Sequence, residues 1–174
     1  MDKIKTKQGM SIVELLSAIA VMLLVSVVLV TGVRLGVKAY TKSVSMSEAQ
    51  VLCSTLTTIV SDDLRYAGTV YPNSTADDGT TVLKLFVHGK GEGYYKSDDD
   101  GQVVFHRDTE GDAKLLGKGS YPYGLKAEVT VKLKDDNTFT AEVKVTSKSD
   151  NVLSQNTFEV KPVNGMKITE TTGS

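Results

Sequence analysis

The chain has 174 residues, 20 basic against 21 acidic side chains, 40% hydrophobic residues, no tryptophan and a single cysteine, Cys53. That near-neutral balance excludes the broad basic footprint of a dedicated nucleic-acid binder. One cysteine excludes an intramolecular disulfide framework, and the length suits one anchor plus one modest domain.

Residues 1–9 carry Lys3, Lys5 and Lys7 against Asp2, after which Gly9-Met10-Ser11-Ile12-Val13-Glu14 opens an almost unbroken apolar run from Leu15 to Val33. The 24 residues from Met10 to Val33 exceed the roughly 18 to 20 needed to cross a hydrocarbon core as helix. They also exceed the ~7 to 15 apolar residues of an ordinary secretory signal peptide. The run therefore predicts a transmembrane helix over 10–33. Glu14 is the anomaly within it. A carboxylate near the middle of a span costs roughly 2.5 to 3.5 kcal/mol on insertion scales, less near an interface, so one is retained where it has a partner or a task. Arg34, Lys38 and Lys42 follow the span, so charge alone does not set its orientation.

From Arg34 to Tyr66 there is no proline, and Ala49, Leu52, Leu56, Ile59 or Val60, Leu64 and Ala67 fall along one face at helical spacing. The helix is expected to continue as an amphipathic segment over 34–67 and to stop at Gly68, with Arg65 in its last turn. Cys53 falls beside Leu52 as a packing residue. Thr69 to Thr80 reads as a loop. Val82 to Val87 reads as a strand, and Tyr94-Tyr95-Lys96 and Gln102 to His106 as a hairpin around Ser97-Asp98-Asp99-Asp100-Gly101.

The clearest pattern is the alternation of Leu125, Ala127, Val129, Val131 and Leu133 with Lys126, Glu128, Thr130, Lys132 and Lys134. After a turn at Asp135-Asp136-Asn137 it recurs in Phe139, Ala141, Val143 and Val145, and again in Phe158 and Val160. Such strands have one dry face, which the amphipathic half of the helix is placed to cover. The expected fold is α+β, a long N-terminal helix packed on an antiparallel β-sheet spanning 68–174. The tail from Asn164 to Ser174 has no pattern and is expected to fray.

No enzymatic constellation emerges, and no cofactor is expected. His88 and His106 belong to neither a zinc spacing nor a nucleophile triad. Gly111 to Gly119 has the wrong spacing for a phosphate loop, with Gly119 where Ser or Thr is needed. Gly89, Gly91 and Gly93 lack the strand-to-helix setting of a dinucleotide fingerprint. Asp98, Asp99 and Asp100 have the carboxylate density that calcium favours, but their spacing matches no EF-hand loop and an acidic hairpin tip is their ordinary reading. Lys126, Lys132 and Lys134 read as the wet face of a strand, not as a nucleic-acid stripe.

The string Lys7-Gln8-Gly9-Met10-Ser11-Ile12-Val13-Glu14-Leu15-Leu16 resembles the processing site of type IV prepilins and pseudopilins. The resemblance implies that residues 1–9 are a leader peptide, cut between Gly9 and Met10 by a prepilin peptidase that also methylates the new amine of Met10. The mature chain would hold 17 basic against 20 acidic residues, a net charge of −3. It implies further that Glu14, fifth in the mature chain, pairs with the amino terminus of a neighbouring subunit and sets the filament register. A buried charge pair suits that task better than it suits net stability.

Thr31-Gly32 stands where many major pilins have a helix-kinking proline. The order of long helix then strands is similar to J-type (PilW-like) minor pilins and pseudopilins, with Ser61 to Ala67, Tyr95 to Phe105 and Phe158 to Asn164 as the matching segments. The implied partners are other pilin or pseudopilin subunits, the peptidase/methyltransferase, an inner-membrane assembly platform, and lipid before assembly. The implied location is a single-pass membrane protein with a cytoplasmic N-terminus, later a surface, periplasmic or extracellular filament for piliation, secretion or DNA uptake. The other functional class is a displayed adhesin using the β domain, which an exposed cluster of Tyr94, Tyr95, Tyr121 and Tyr123 would favour.

Overall fold

The structure, a computed structural model, describes residues 11–76, 79–135, 137–163 and 165–169. Helix α1 (Ile12–Arg65) is 54 residues long and uninterrupted, as a stretch without proline allows. The chain divides into two compact units after Val44.

In the first unit every side chain from residue 11 to residue 43 is exposed, although most are apolar. Three hydroxyls of the apolar run are closed within the helix: Ser17 donates to the Glu14 carbonyl at 2.9 Å, Ser26 to the Met22 carbonyl at 2.8 Å and Thr31 to the Val27 carbonyl at 2.8 Å. A helix with its backbone and hydroxyls satisfied internally is compatible with a medium that offers no hydrogen bonds. By length and composition α1 is sufficient to cross a membrane.

Among the described residues the second unit holds nine strands beside the end of α1. β1 (Ala67–Thr75), β2 (Thr81–Val87), β3 (Gly91–Ser97), β4 (Val103–Arg107), β5 (Gly111–Lys114) and β9 (Lys167–Ile168) form a sheet in the order β5-β4-β3-β2-β1-β9. β6 (Lys126–Asp135), β7 (Thr138–Thr146) and β8 (Val152–Val160) form a separate antiparallel sheet. The fold is α+β, a long N-terminal helix packed against largely antiparallel sheet.

The helix end of this unit carries the core. Ala49, Leu52, Cys53, Leu56, Val60 and Leu64 are buried, and of the two alternatives at 59 and 60 it is Val60 that turns inward. They meet Val70, Leu85 and Phe105 from the larger sheet and Phe139, Ala141, Val143 and Val145 from the smaller, in one cluster. The Cys53 thiol donates to the Val143 carbonyl at 3.8 Å, which makes it a packing residue as its position suggests.

Three expectations are corrected. The helix ends at Arg65, and Ala67 and Gly68 belong to β1. The Arg65 carbonyl accepts the Val163 N–H at 2.9 Å, so a tertiary partner takes over where a glycine cap was expected. The segment read as a loop from Thr69 is strand as far as Thr75, because Val70 pairs with Leu85 across a ladder that tolerates Pro72 and a left-handed Asn73 at an irregularity between Tyr71 and Ser74. The described part of the tail is ordered into β9, which pairs in parallel with β1 through Thr69↔Lys167 and Val70↔Ile168.

Two glycines shape the junction of the sheets. A Cβ at Gly93 would lie 2.0 Å from the His106 carbonyl oxygen, so only glycine lets β3 pass from pairing with β2 to pairing with β4. Gly101 has φ +74°, and a Cβ there would meet the Lys126 side chain at 2.4 Å. Its carbonyl accepts the Ala127 N–H at 2.8 Å, and the Ser97 hydroxyl donates to the Ala127 carbonyl at 2.8 Å. These two bonds tie the start of β6 to the β3–β4 turn.

Leu56 is fully buried. Leu56→Ala should cost about 3 kcal/mol, and Leu56→Lys should prevent the sheets from folding, because it leaves an unpaired charge in the core. Chemical denaturation of the full chain in detergent, followed by near-ultraviolet circular dichroism, measures both. An unchanged midpoint in either variant would show that the helix stripe does not cover the sheets.

Candidate functional site

The sequence singles out the N-terminal end of α1. Gly9 and Met10 lie outside the described residues. Glu14 lies in the first turn of α1, where the unsatisfied N–H groups of a helix favour negative charge. Its side chain is exposed and has no partner among the described residues. Ala18, Val21, Met22 and Val25 continue from it along the same side of the helix. The arrangement is one uncommitted carboxylate at the head of an apolar surface, able to accept a cation brought by something else.

The acidic turn is committed to its own hairpin. The Gln102 N–H donates to Asp98 Oδ1 at 2.7 Å, Asp98 Oδ2 lies 3.8 Å from Lys114 Nζ, and Asp100 Oδ2 lies 3.5 Å from Lys118 Nζ. No group of three or more metal-ligating side chains occurs among the described residues. The four tyrosines do not form an exposed cluster. Tyr94, Tyr95 and Tyr121 are buried and Tyr123 alone is exposed. Tyr121 accepts the Val103 N–H at 3.0 Å, and Tyr94 packs edge-on to His106 with ring centroids 5.1 Å apart.

Tyr95 belongs to a polar node that the sequence pattern does not reveal. Asp63, beside Leu64 at the border of the apolar stripe, accepts the Tyr95 hydroxyl at 2.7 Å and Lys90 Nζ at 2.5 Å through one oxygen. The node fixes the last turns of α1 to β3 and to the β2–β3 turn. Burial, reinforced by the Asp63 charge and hydrogen bond, holds the Tyr95 phenol well above its ordinary pKa of 10.0. Asp63 is flanked by charged and hydroxyl residues in sequence, and only its position one residue from Leu64 hints at burial.

A second charge cluster lies on the outer side of β2 to β5. Asp112 Oδ1 is 2.5 Å from His106 Nδ1 and 3.2 Å from Lys96 Nζ, and Lys84 pairs with Asp108 at 2.7 Å. The His106 hydrogen bond and then Lys96 hold the Asp112 carboxyl below its ordinary range. All these groups have partners, and none lies in an enclosed cavity.

No family model matches the chain, and no curated protein or solved structure matches it.

The folded chain keeps the Tyr95 proton to a pH at which the unfolded chain has lost it, so Tyr95 contributes stability that declines as pH rises above about 10. Tyr95→Phe should lower stability at pH 7 by about 1 to 2 kcal/mol through the lost hydrogen bond, and should flatten the alkaline decline. Urea midpoints from pH 7 to 11 measure both effects. An equally steep decline in the variant would assign it to other groups, Tyr121 first, whose phenol burial also raises.

Proposed function

We propose that the chain is a structural subunit of a type IV filament system, a minor pilin or pseudopilin of the J type. It is cut after Gly9, methylated at Met10 and assembled through its N-terminal helix for piliation, secretion or DNA uptake. The observation that carries this reading is Glu14. It is a carboxylate without a partner among the described residues, five positions after the Gly9 end of a basic leader, at the head of a helix whose next thirty or so residues, to Ser43, are exposed and mostly apolar.

An exposed apolar helix requires a bilayer or other helices around it. A lone acid at its head requires a positive partner at the same depth. The methylated amine of a neighbouring subunit supplies both the charge and the depth, and methylation leaves that amine able to be protonated. The α+β architecture of the second unit supports the same reading, since one long helix followed by sheet is the order of pilin-like subunits. Before assembly the helix anchors the protein in the membrane with the leader in the cytoplasm. After assembly the sheets form the outer part of the filament.

The test uses protein isolated from its own host. Intact mass and amino-terminal sequencing should give a chain that begins at Met10 and carries one added methyl group. Gly9→Val should leave the full-length chain uncut. Glu14→Ala should be cut normally yet be absent from sheared filament fractions. A wild-type chain that still begins at Met1, or is cut elsewhere, would remove the processing reading, and normal incorporation of Glu14→Ala would remove the register role.

A further inference from the structure

We infer that the second unit carries a strand-acceptor slot, in which the free edge of β6 binds an extended peptide segment of another polypeptide. The slot arises because strands part company. β2 and β3 pair from Leu85↔Gly93 to Val87↔Gly91, after which β3 pairs with β4 and leaves Thr81 to Leu83 without a ladder partner on that side among the described residues. β6 is tied to the β3–β4 turn at Ala127 and then runs on with β7 as its only ladder partner among the described residues. The space between holds about 780 Å³ and is lined by Thr81, Val82 and Leu83 of β2, by Tyr94 to Ser97 of β3, and by Val129, Val131 and Leu133 of β6.

The backbone identifies the occupant. The Ala127 N–H and C=O both point away from β7, toward Gly101 and Ser97. Strand alternation aims the same groups of Val129, Val131 and Leu133 into the slot. That row of three donors and three acceptors matches a polypeptide in extended conformation. The apolar floor agrees, because Val82, Leu83, Val131 and Leu133 are only partly buried and would be covered by the alternate side chains of an added strand.

Charge specifies the occupant further. Lysines along an edge strand ordinarily discourage pairing, yet Lys126 is held by Asp150 at 3.1 Å and Lys134 by Glu159 at 2.6 Å. Glu128 and Lys132 remain, exposed and without a partner among the described residues. An antiparallel strand complements them with an acidic residue opposite Lys132, a polar one opposite Thr130 and a basic one opposite Glu128, with β-branched residues between. In chain direction this is acidic, apolar, polar, apolar, basic. The Glu128-Val129-Thr130-Val131-Lys132 sequence of β6 has that pattern itself, but in a second folded copy β6 carries β7 on its other edge, so its entry would bring a whole second sheet against the β2 and β3 wall of the slot. The occupant is therefore a terminal or loop segment without a flanking strand.

The probe is a fluorescein-labelled peptide, Ser-Glu-Val-Thr-Val-Lys-Ser, titrated with the full chain in detergent and read by fluorescence anisotropy. Saturable binding is expected. Val131→Pro removes only an outward N–H, leaves the β7 ladder intact, and should weaken binding more than tenfold with an unchanged circular dichroism spectrum. The double variant Glu128→Lys with Lys132→Glu should lose about tenfold for this peptide and regain it for Ser-Lys-Val-Thr-Val-Glu-Ser. Absence of saturable binding to the wild type would overturn the slot. So would equal binding of both peptides by both charge forms, or self-association of the chain, by sedimentation without peptide, that Val131→Pro abolishes.

Discussion

One stripe of six side chains, Ala49, Leu52, Cys53, Leu56, Val60 and Leu64, holds the second unit together. Both sheets turn apolar side chains toward the same helix face, which excludes water from the core they share. A core organised by one helix tolerates little loss of volume along that helix. The small residues of the stripe, Ala49 and Cys53, meet the smaller sheet closely enough for the Cys53 thiol to reach a β7 carbonyl.

Covering two sheets with one helix leaves a seam between them, and most of the polar detail of the unit gathers along it. The Gly101 and Ser97 bonds to Ala127 close the seam at one end. Tyr121 closes another gap by accepting the Val103 N–H. Asp63 fastens the helix to the strands beside the seam through Lys90 and Tyr95, and there the cost of burying a carboxylate is offset by two charge-assisted bonds to a single oxygen. Beyond Gly93 no such device bridges β2 to β6 among the described residues, and the seam opens.

The elements with a clean period were legible in the sequence. The alternation of β6 and β7 pairs in the structure as Ala127↔Val145, Val129↔Val143 and Leu133↔Phe139, and the Tyr94 to His106 hairpin closes through Tyr94↔His106 and Ser97↔Val103. The helix stripe appears at the expected positions, with Val60 chosen over Ile59. β1 and β9 were not legible. β1 contains Gly68, Pro72 and Asn73 and is strand only because β2 and β9 flank it, and β9 is two residues held by an edge. At the candidate site, Glu14 stood out because it interrupts an apolar run. Asp63 did not, because its burial depends on which strands fold over it, and the separation of the two sheets follows from where β3 changes partner at Gly93.

The two units follow one rule about polar groups that water cannot reach. In the apolar run of α1 Ser17, Ser26 and Thr31 close on carbonyls of their own helix, and Glu14 is left as its conspicuous charge. In the β unit the ladders satisfy the strands until β6 passes Ala127, where a row of backbone groups faces a partly apolar slot with Glu128 and Lys132 at its rim. A carboxylate without a cation and a strand edge without a strand are different chemistries with the same structural meaning, since under the two proposals above a second polypeptide would complete each. Among the described residues each unit thus presents a place where polar groups lack a partner, and the proposed role as a filament subunit would use both.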